Sequence, residues 1–175
     1  MFGEKGLVHV YTGDGKGKTT SSLGLAMRAS GQGAKVEIIQ FMKGWDHYGE
    51  LATVKLLPGV TLTQTGRADY VYRGKETRED YSEARRGLDL AKDVIASGRC
   101  DMLILDEINV ALDYKLIPLD EVVSLVKSKP KDLELILTGR YARPEIIELA
   151  DLVTEMREVR HPFQRGVTAR KGVEY

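Results

Sequence analysis

The sequence is short of several things, and each shortage closes off a class of function. Its 26 basic and 26 acidic residues cancel, so no overall field draws the chain to nucleic acid or to an anionic membrane, and any anion site must be local. A single cysteine, Cys100, rules out an internal disulfide; this fits a reducing compartment, and the cytoplasm is the expected location. No run approaches the roughly 20 apolar residues of a membrane span, and residues 1–11 lack the basic start and apolar core of a secretory signal. The three histidines, His9, His47 and His161, have no metal-ligand spacing. No repeat, linker or low-complexity segment divides the 175 residues, so one domain over 1–175 is expected, burying roughly two thirds of its unfolded surface.

What is present is an alternation of strand-like and helix-like segments. Leu7 to Tyr11 is a short apolar run ending in a glycine-rich turn, and Lys18 to Ser30 then carries Leu23, Ala26 and Met27 at helical spacing. Gly31 and Gly33 stop that helix, and Lys35 to Phe41 reads as a second strand. From Met42 to Lys75 regularity fades around one short strand candidate, Val60 to Gln64; so long an irregular stretch is the candidate site for a second ligand. Thr77-Arg-Glu-Asp80 has the form of a capping box ahead of a long amphipathic helix ending at Gly98. Met102 to Leu105 and Leu133 to Thr138 read as strands, Pro118 to Val126 and Pro144 to Ala150 as helices, and Leu152 to Met156 as a last strand. The expected fold is α/β of the P-loop NTPase-like (RecA-like) kind, a mostly parallel sheet with helices on both faces. His161 to Tyr175 forms either an ordered flap or a solvated end.

Chemistry concentrates where strands end. The turn Thr12-Gly-Asp-Gly-Lys-Gly-Lys-Thr19 joins a strand to a helix, the arrangement in which backbone N–H groups and a helix N-terminus cradle phosphates. Gly13, Gly15 and Gly17 permit close approach, Lys16 and Lys18 supply charge, and Thr19 is placed to ligate Mg²⁺ (or Mn²⁺). Asp14 and Thr20 complete the candidate ATP contacts. The usual pattern opens with glycine where this chain has Thr12, and a purely structural turn is the plain alternative. Asp106-Glu107 after an apolar strand reads as a carboxylate pair able to hold the metal or its water. Thr138-Gly-Arg140 ends another strand, where a guanidinium can clamp a departing polyphosphate; a surface ion pair is the alternative. Tyr70 and Tyr72, two apart, face one side if extended and offer an apolar wall to a flat ligand; core packing competes with that role. Cys100 is read as structural.

Taken together these segments resemble the corrinoid adenosyltransferases of the CobA/BtuR type, also called cob(I)yrinic acid a,c-diamide adenosyltransferases. The likeness runs through the P-loop and its unusual Thr12, Ala26-Met-Arg-Ala29, Gln40-Phe-Met-Lys-Gly44, Leu105-Asp-Glu-Ile108, Leu137-Thr-Gly-Arg140 and the ending Ala169-Arg-Lys-Gly-Val-Glu-Tyr175. It implies an ATP contact at Arg28 as well as at the loop and Arg140. In the family the corrin-facing segment looks like Phe-Thr-Trp; here it is Tyr70-Val-Tyr72, keeping aromatic character without identity. Family members commonly carry an N-terminal extension over the site, whereas eleven residues precede the loop here.

The reaction implied by the resemblance moves the 5′-deoxyadenosyl group of ATP to Co(I) of a corrinoid and releases triphosphate. Cobalt(I) needs no base to activate it, so catalysis falls to alignment and leaving-group stabilisation by Lys18, Lys16, Arg140 and a metal held by Thr19 with Glu107 or Asp106. Attack at carbon calls for a nucleotide reversed in the loop. The resemblance also implies a reduced flavoprotein as electron donor; a homodimer is compatible with the sequence and not decided by it. Two rival readings use the same loop: a phosphotransferase or ATPase acting at the γ-phosphate, and a non-enzymatic ATP sensor.

Overall fold

The chain alternates strand and helix from its first described segment, and all six strands run parallel. The structure is a computed structural model describing residues 5–175; the expectation for residues 1–11 thus falls partly outside the described residues. The elements are β1 (Val8–Thr12), α1 (Lys18–Gly31), β2 (Val36–Phe41), α2 (Gly49–Val54), β3 (Val60–Thr65), α3 (Arg78–Ser97), β4 (Met102–Asp106), α4 (Ile108–Asp113), α5 (Leu119–Lys127), β5 (Glu134–Thr138), α6 (Pro144–Ile147) and β6 (Leu152–Glu155). A short 3₁₀ turn, Pro162–Arg165, lies in the tail.

The strand order is β3-β2-β4-β5-β1-β6. Residues on β4 are buried throughout, as a strand covered on both faces requires. Side chains alternate between two cores. Ile39, Phe41, Leu103, Leu105, Leu135 and Leu137 pack under α3, α4 and α5, while Val36, Ile38, Ile104 and Ile136 pack with Ala26 and Ala29 of α1 and Val54 of α2. Helix α3 lies close to the sheet because Gly87 has no Cβ, which would come within 2.5 Å of the Thr65 hydroxyl and 2.8 Å of the Phe41 ring. Its start is the capping box read from sequence: the Thr77 side chain accepts from the Asp80 amide and the Asp80 carboxylate accepts from the Thr77 amide. Arg67 Nε adds a 2.8 Å bond to the same carboxylate, tying the loop after β3 to the helix.

Two helices appear that the sequence pattern did not announce. Helix α2 interrupts the stretch expected to be irregular, and α4 follows β4 after one residue with no side-chain cap. Each has six residues, too few for a helical periodicity to register. Helix α6 is shorter than expected, ending at Ile147. Among the described residues no helix is long and apolar enough to cross a membrane.

Candidate active site

β1 ends at Thr12 and α1 starts at Lys18, so the glycine-rich turn spans the gap between them. The chain turns through Gly13 (φ 93°) and Gly17 (φ 121°), backbone that only glycine adopts without strain. At Gly15 the constraint is space: its amide donates to the Met156 carbonyl at 2.6 Å, and a Cβ would meet that oxygen at 2.7 Å. Lys18 curls back into the turn, its Nζ donating to the carbonyls of Gly13 (2.8 Å) and Gly15 (2.7 Å). Burial lowers its pKa below the ordinary lysine value; the Glu107 carboxylate opposes that shift and the Arg140 charge adds to it. Arg140 Nη2 donates to the Asp14 carbonyl at 3.0 Å, bringing the strand that carries Thr138 onto the loop.

Sheet register explains the next layer. Gln40 on β2 is paired with Asp106 on β4, and Leu105 with Leu137, which leaves Thr138 on β5 level with Asp106. Asp106 faces the same side as Ile104, toward α1, and so meets the first turn of that helix. The Thr19 hydroxyl donates to Asp106 Oδ1 at 2.9 Å and the Thr138 hydroxyl to the same oxygen at 2.6 Å. Lys43 Nζ donates to Oδ2 at 2.8 Å and Gln40 Nε2 at 3.2 Å. Asp106 is 1% exposed, and its four partners occupy both acceptor positions of each oxygen. Burial opposes its charge, but the Lys43 ammonium and the hydrogen bonds hold its pKa below the usual carboxylate range. Lys43 also lies 3.5 Å from the Thr19 hydroxyl and 5.4 Å over the Tyr48 ring.

Glu107 differs from its neighbour. It takes a left-handed conformation (φ 62°), its amide donating to the Thr138 hydroxyl at 3.0 Å. Its half-buried carboxylate lines the cavity and has no hydrogen bond or ion pair among the described residues. Burial first, and then the adjacent Asp106 charge, raise its pKa. Met42 (φ 58°) and Tyr141 (φ 61°) share this conformation just past the ends of β2 and β5, and both line the same cavity; such backbone strain gathers at functional sites. Among the described residues no three His, Cys, Asp or Glu side chains are grouped to hold a metal. A divalent ion here would rely on the Thr19 hydroxyl, the Asp106 and Glu107 carboxylates and oxygens of a ligand, a hard oxygen set that suits Mg²⁺ or Mn²⁺.

The same cavity, of about 840 Å³, has a second wall of different make. Tyr70 and Val71 come from the loop after β3, Val110 and Tyr114 from α4 and its end, and Tyr141 from the loop after β5. Arg73 stacks at 4.8 Å over Tyr114 and 5.9 Å from Tyr141, and is ion-paired with Asp113. Burial, then the neighbouring Tyr70, raises the Tyr114 pKa. The tail folds over the cavity mouth as a flap: Lys16 Nζ donates to the Val173 carbonyl at 2.9 Å, and Gly172 to Tyr175 line the cavity. Tyr175 meets Trp45 at 5.7 Å between ring centroids, and Trp45 meets Tyr48 at 5.9 Å.

The structure gathers Gly15 to Thr20, Glu107, Arg140 and Tyr70 around this one cavity, with Asp106 directly beneath. Thr12, Gly13 and Asp14 support the turn from behind; the Thr12 hydroxyl accepts from the Ala142 amide. Two of the expected site residues do not line this cavity. Arg28 lies in the last turn of α1, ten residues or about 15 Å of helix beyond Lys18, with its charge near Tyr11 rather than at the cavity. Tyr72 touches Tyr70, at 5.0 Å between rings, but does not line the cavity, whereas the buried Val71 between them does. Sequence reasoning missed Lys43, Tyr48, Tyr114 and Tyr141 as lining residues. Lys43 carried a usable signal, standing just past a strand end in a parallel sheet, where polar groups converge on ligands.

The family model described as ATP:corrinoid adenosyltransferase BtuR/CobO/CobP matches residues 4–175. The chain is 37% identical over 172 residues to the corrinoid adenosyltransferase of Escherichia coli strain K12, covering 98% of this chain and 87% of that one. It is 35% identical to the corrinoid adenosyltransferase of Pseudomonas aeruginosa (98% and 85% covered) and 39% identical to that of a Sinorhizobium species (98% and 81%).

Proposed function

The chain belongs to the ATP:corrinoid adenosyltransferase family, and we infer from that premise that it transfers the 5′-deoxyadenosyl group of ATP to the Co(I) of a corrinoid, releasing triphosphate. The observation that carries this reading is the cavity itself, which sets a phosphate-binding turn against an aromatic wall. Cobalt(I) attacks C5′ with its electron pair; the Co–C bond forms, the C5′–O bond breaks, and triphosphate leaves with the bonding pair. Cobalt is thereby oxidised by two electrons to Co(III), and no proton is moved. A general base has no task, and Glu107 is read as a metal-side carboxylate.

The loop's contribution is to hold and neutralise the leaving group. Lys18 would exchange its two carbonyl partners for phosphate oxygens, with Lys16 and Arg140 adding charge at the rim. Mg²⁺ or Mn²⁺ at Thr19, Asp106 and Glu107 would supply further charge neutralisation to the triphosphate. We read the nucleotide as reversed in the loop, its ribose toward Tyr70 and Tyr114, because the 5′-carbon must meet the corrin; an ATP complex with the γ-phosphate facing that wall would exclude this. A reduced flavoprotein donor and a cytoplasmic location are proposed with it. We also read 1–175 as one domain, which the continuous sheet supports. A homodimer is in keeping with the half-exposed Leu152 and Val153 on edge strand β6.

The test is anaerobic incubation with ATP, Mg²⁺ and chemically reduced cob(I)alamin, followed by visible spectroscopy and phosphate analysis. Adenosylcobalamin and triphosphate are expected. ADP or orthophosphate with unchanged corrinoid would replace this reading with an ATPase or phosphotransferase, and ATP binding without product would replace it with a sensor.

A further inference from the structure

We propose that Lys43 is a tethered cation that holds the divalent metal's place in the nucleotide-free protein, so that the site accepts the metal only together with a triphosphate. The inference rests on the reading of Thr19 and Asp106 as the metal side of the loop. Lys43 Nζ stands 2.8 Å from Asp106 Oδ2 and 3.5 Å from the Thr19 hydroxyl, and so bridges the two groups that reading assigns to the ion. Its side chain is 14% exposed and that of Asp106 1%. The ammonium is thus an interior charge balancing an interior carboxylate, where screening by solvent is weak.

The hydrogen-bond count supports the same conclusion. Asp106 already accepts from Thr19, Thr138, Lys43 and Gln40, and the Thr19 proton is directed at it, so no lone pair of the carboxylate is open to an arriving ion. A free Mg²⁺ or Mn²⁺ would have to displace an ammonium already bonded there, or share the carboxylate with it against direct repulsion. Glu107, the carboxylate left open, is one ligand, too few for an ion that gives up water reluctantly. A metal–triphosphate complex changes the balance by bringing its own anion. Lys43 lines the cavity, so its Nζ can pass from Asp106 to a phosphate oxygen as the metal enters. Its flexible four-carbon stem permits the swing. Lys43 is therefore a positioning residue that acts through Asp106.

The experiment is titration of the full chain with Mn²⁺, followed by electron paramagnetic resonance of the free ion, with and without ATP. The wild type should bind Mn²⁺ weakly alone and tightly with ATP. Lys43→Met should bind free Mn²⁺ at least about tenfold more tightly than wild type, an adjacent like charge having been removed; Lys43→Arg should not. The double variant Lys43→Met with Asp106→Asn should lose the gain, which assigns it to this carboxylate. Circular dichroism establishes that each variant is folded. A folded Lys43→Met with unchanged affinity for free Mn²⁺ would overturn the proposal, as would a wild type that binds free Mn²⁺ as tightly as in the presence of ATP. If ATP with Mn²⁺ still binds in those cases, only the role of Lys43 falls. If neither binds, the assignment of the loop falls with it.

Discussion

On the loop side of the cavity Asp106 is 1% exposed with four hydrogen-bond partners, whereas Tyr70 in the aromatic wall is 71% exposed and stacks edge-on with Tyr72. At Asp106 the first wall is complete before any ligand arrives, that charge already balanced by Lys43. The second leaves apolar surface in water and gains by being covered, as a flat hydrophobic substrate would cover it. One side of the site is therefore part of the folding energetics, and the other is an interface waiting for its partner.

Replacing Asp106 should separate the two most clearly. Asp106→Asn strands the Lys43 ammonium in a buried position, and the unfolding free energy in urea should fall by about 3 kcal/mol, the scale of breaking a buried pair. A loss below about 1 kcal/mol would show the loop wall to be as loosely built as the other. The reciprocal change, Tyr70→Ala, should leave stability within about 0.5 kcal/mol, as expected of an exposed position. It should nonetheless raise the corrinoid KM about tenfold with ATP affinity unchanged, as loss of an aromatic anchor does. A marked fall in the urea midpoint would mean that Tyr70 is a folding residue and would break the comparison.

Away from both walls, Glu121 offers the smallest expected effect and a baseline. Hydrogen bonds from Arg85 and Lys92 hold its pKa at about 2, below the unstructured value of 4.5. The pair ties α5 to α3 at the surface, so Glu121→Gln should cost less than about 1 kcal/mol at neutral pH. Because the folded value is the lower one, this contribution is fully present above pH 4.5 and is lost as pH falls through about 2. Urea midpoints of wild type and variant measured at pH 7 and again near pH 2 should converge at the acid end.

Features that depend on neighbouring residues were legible in the sequence. The Thr77 and Asp80 capping pair is three residues apart, the P-loop is contiguous, and every strand was found within two residues of its ends, because turns and apolar runs are local properties. Lys43 and Asp106 are 63 residues apart, and no local pattern announces a partner at that distance. Tyr114 and Tyr141 reach one wall only because α4 and the loop after β5 leave adjacent strands at the same edge of the sheet. Arg28 shows the reverse case: its segment resembles the family, but a helix rising about 1.5 Å per residue sets it ten residues beyond Lys18.

Trp45 is the only tryptophan in the chain, and it sits beside Tyr48 and against Tyr175 of the flap. The protein thus carries one indole against two residues that line its own cavity, and its emission reports a single place. A corrin ring entering the cavity absorbs where indole emits, so occupancy will dim that light by energy transfer. If nucleotide alone moves the flap, the colour of the emission will shift with the wetness of the ring. Two substrates can then be told apart in one cuvette, without a label and without turnover.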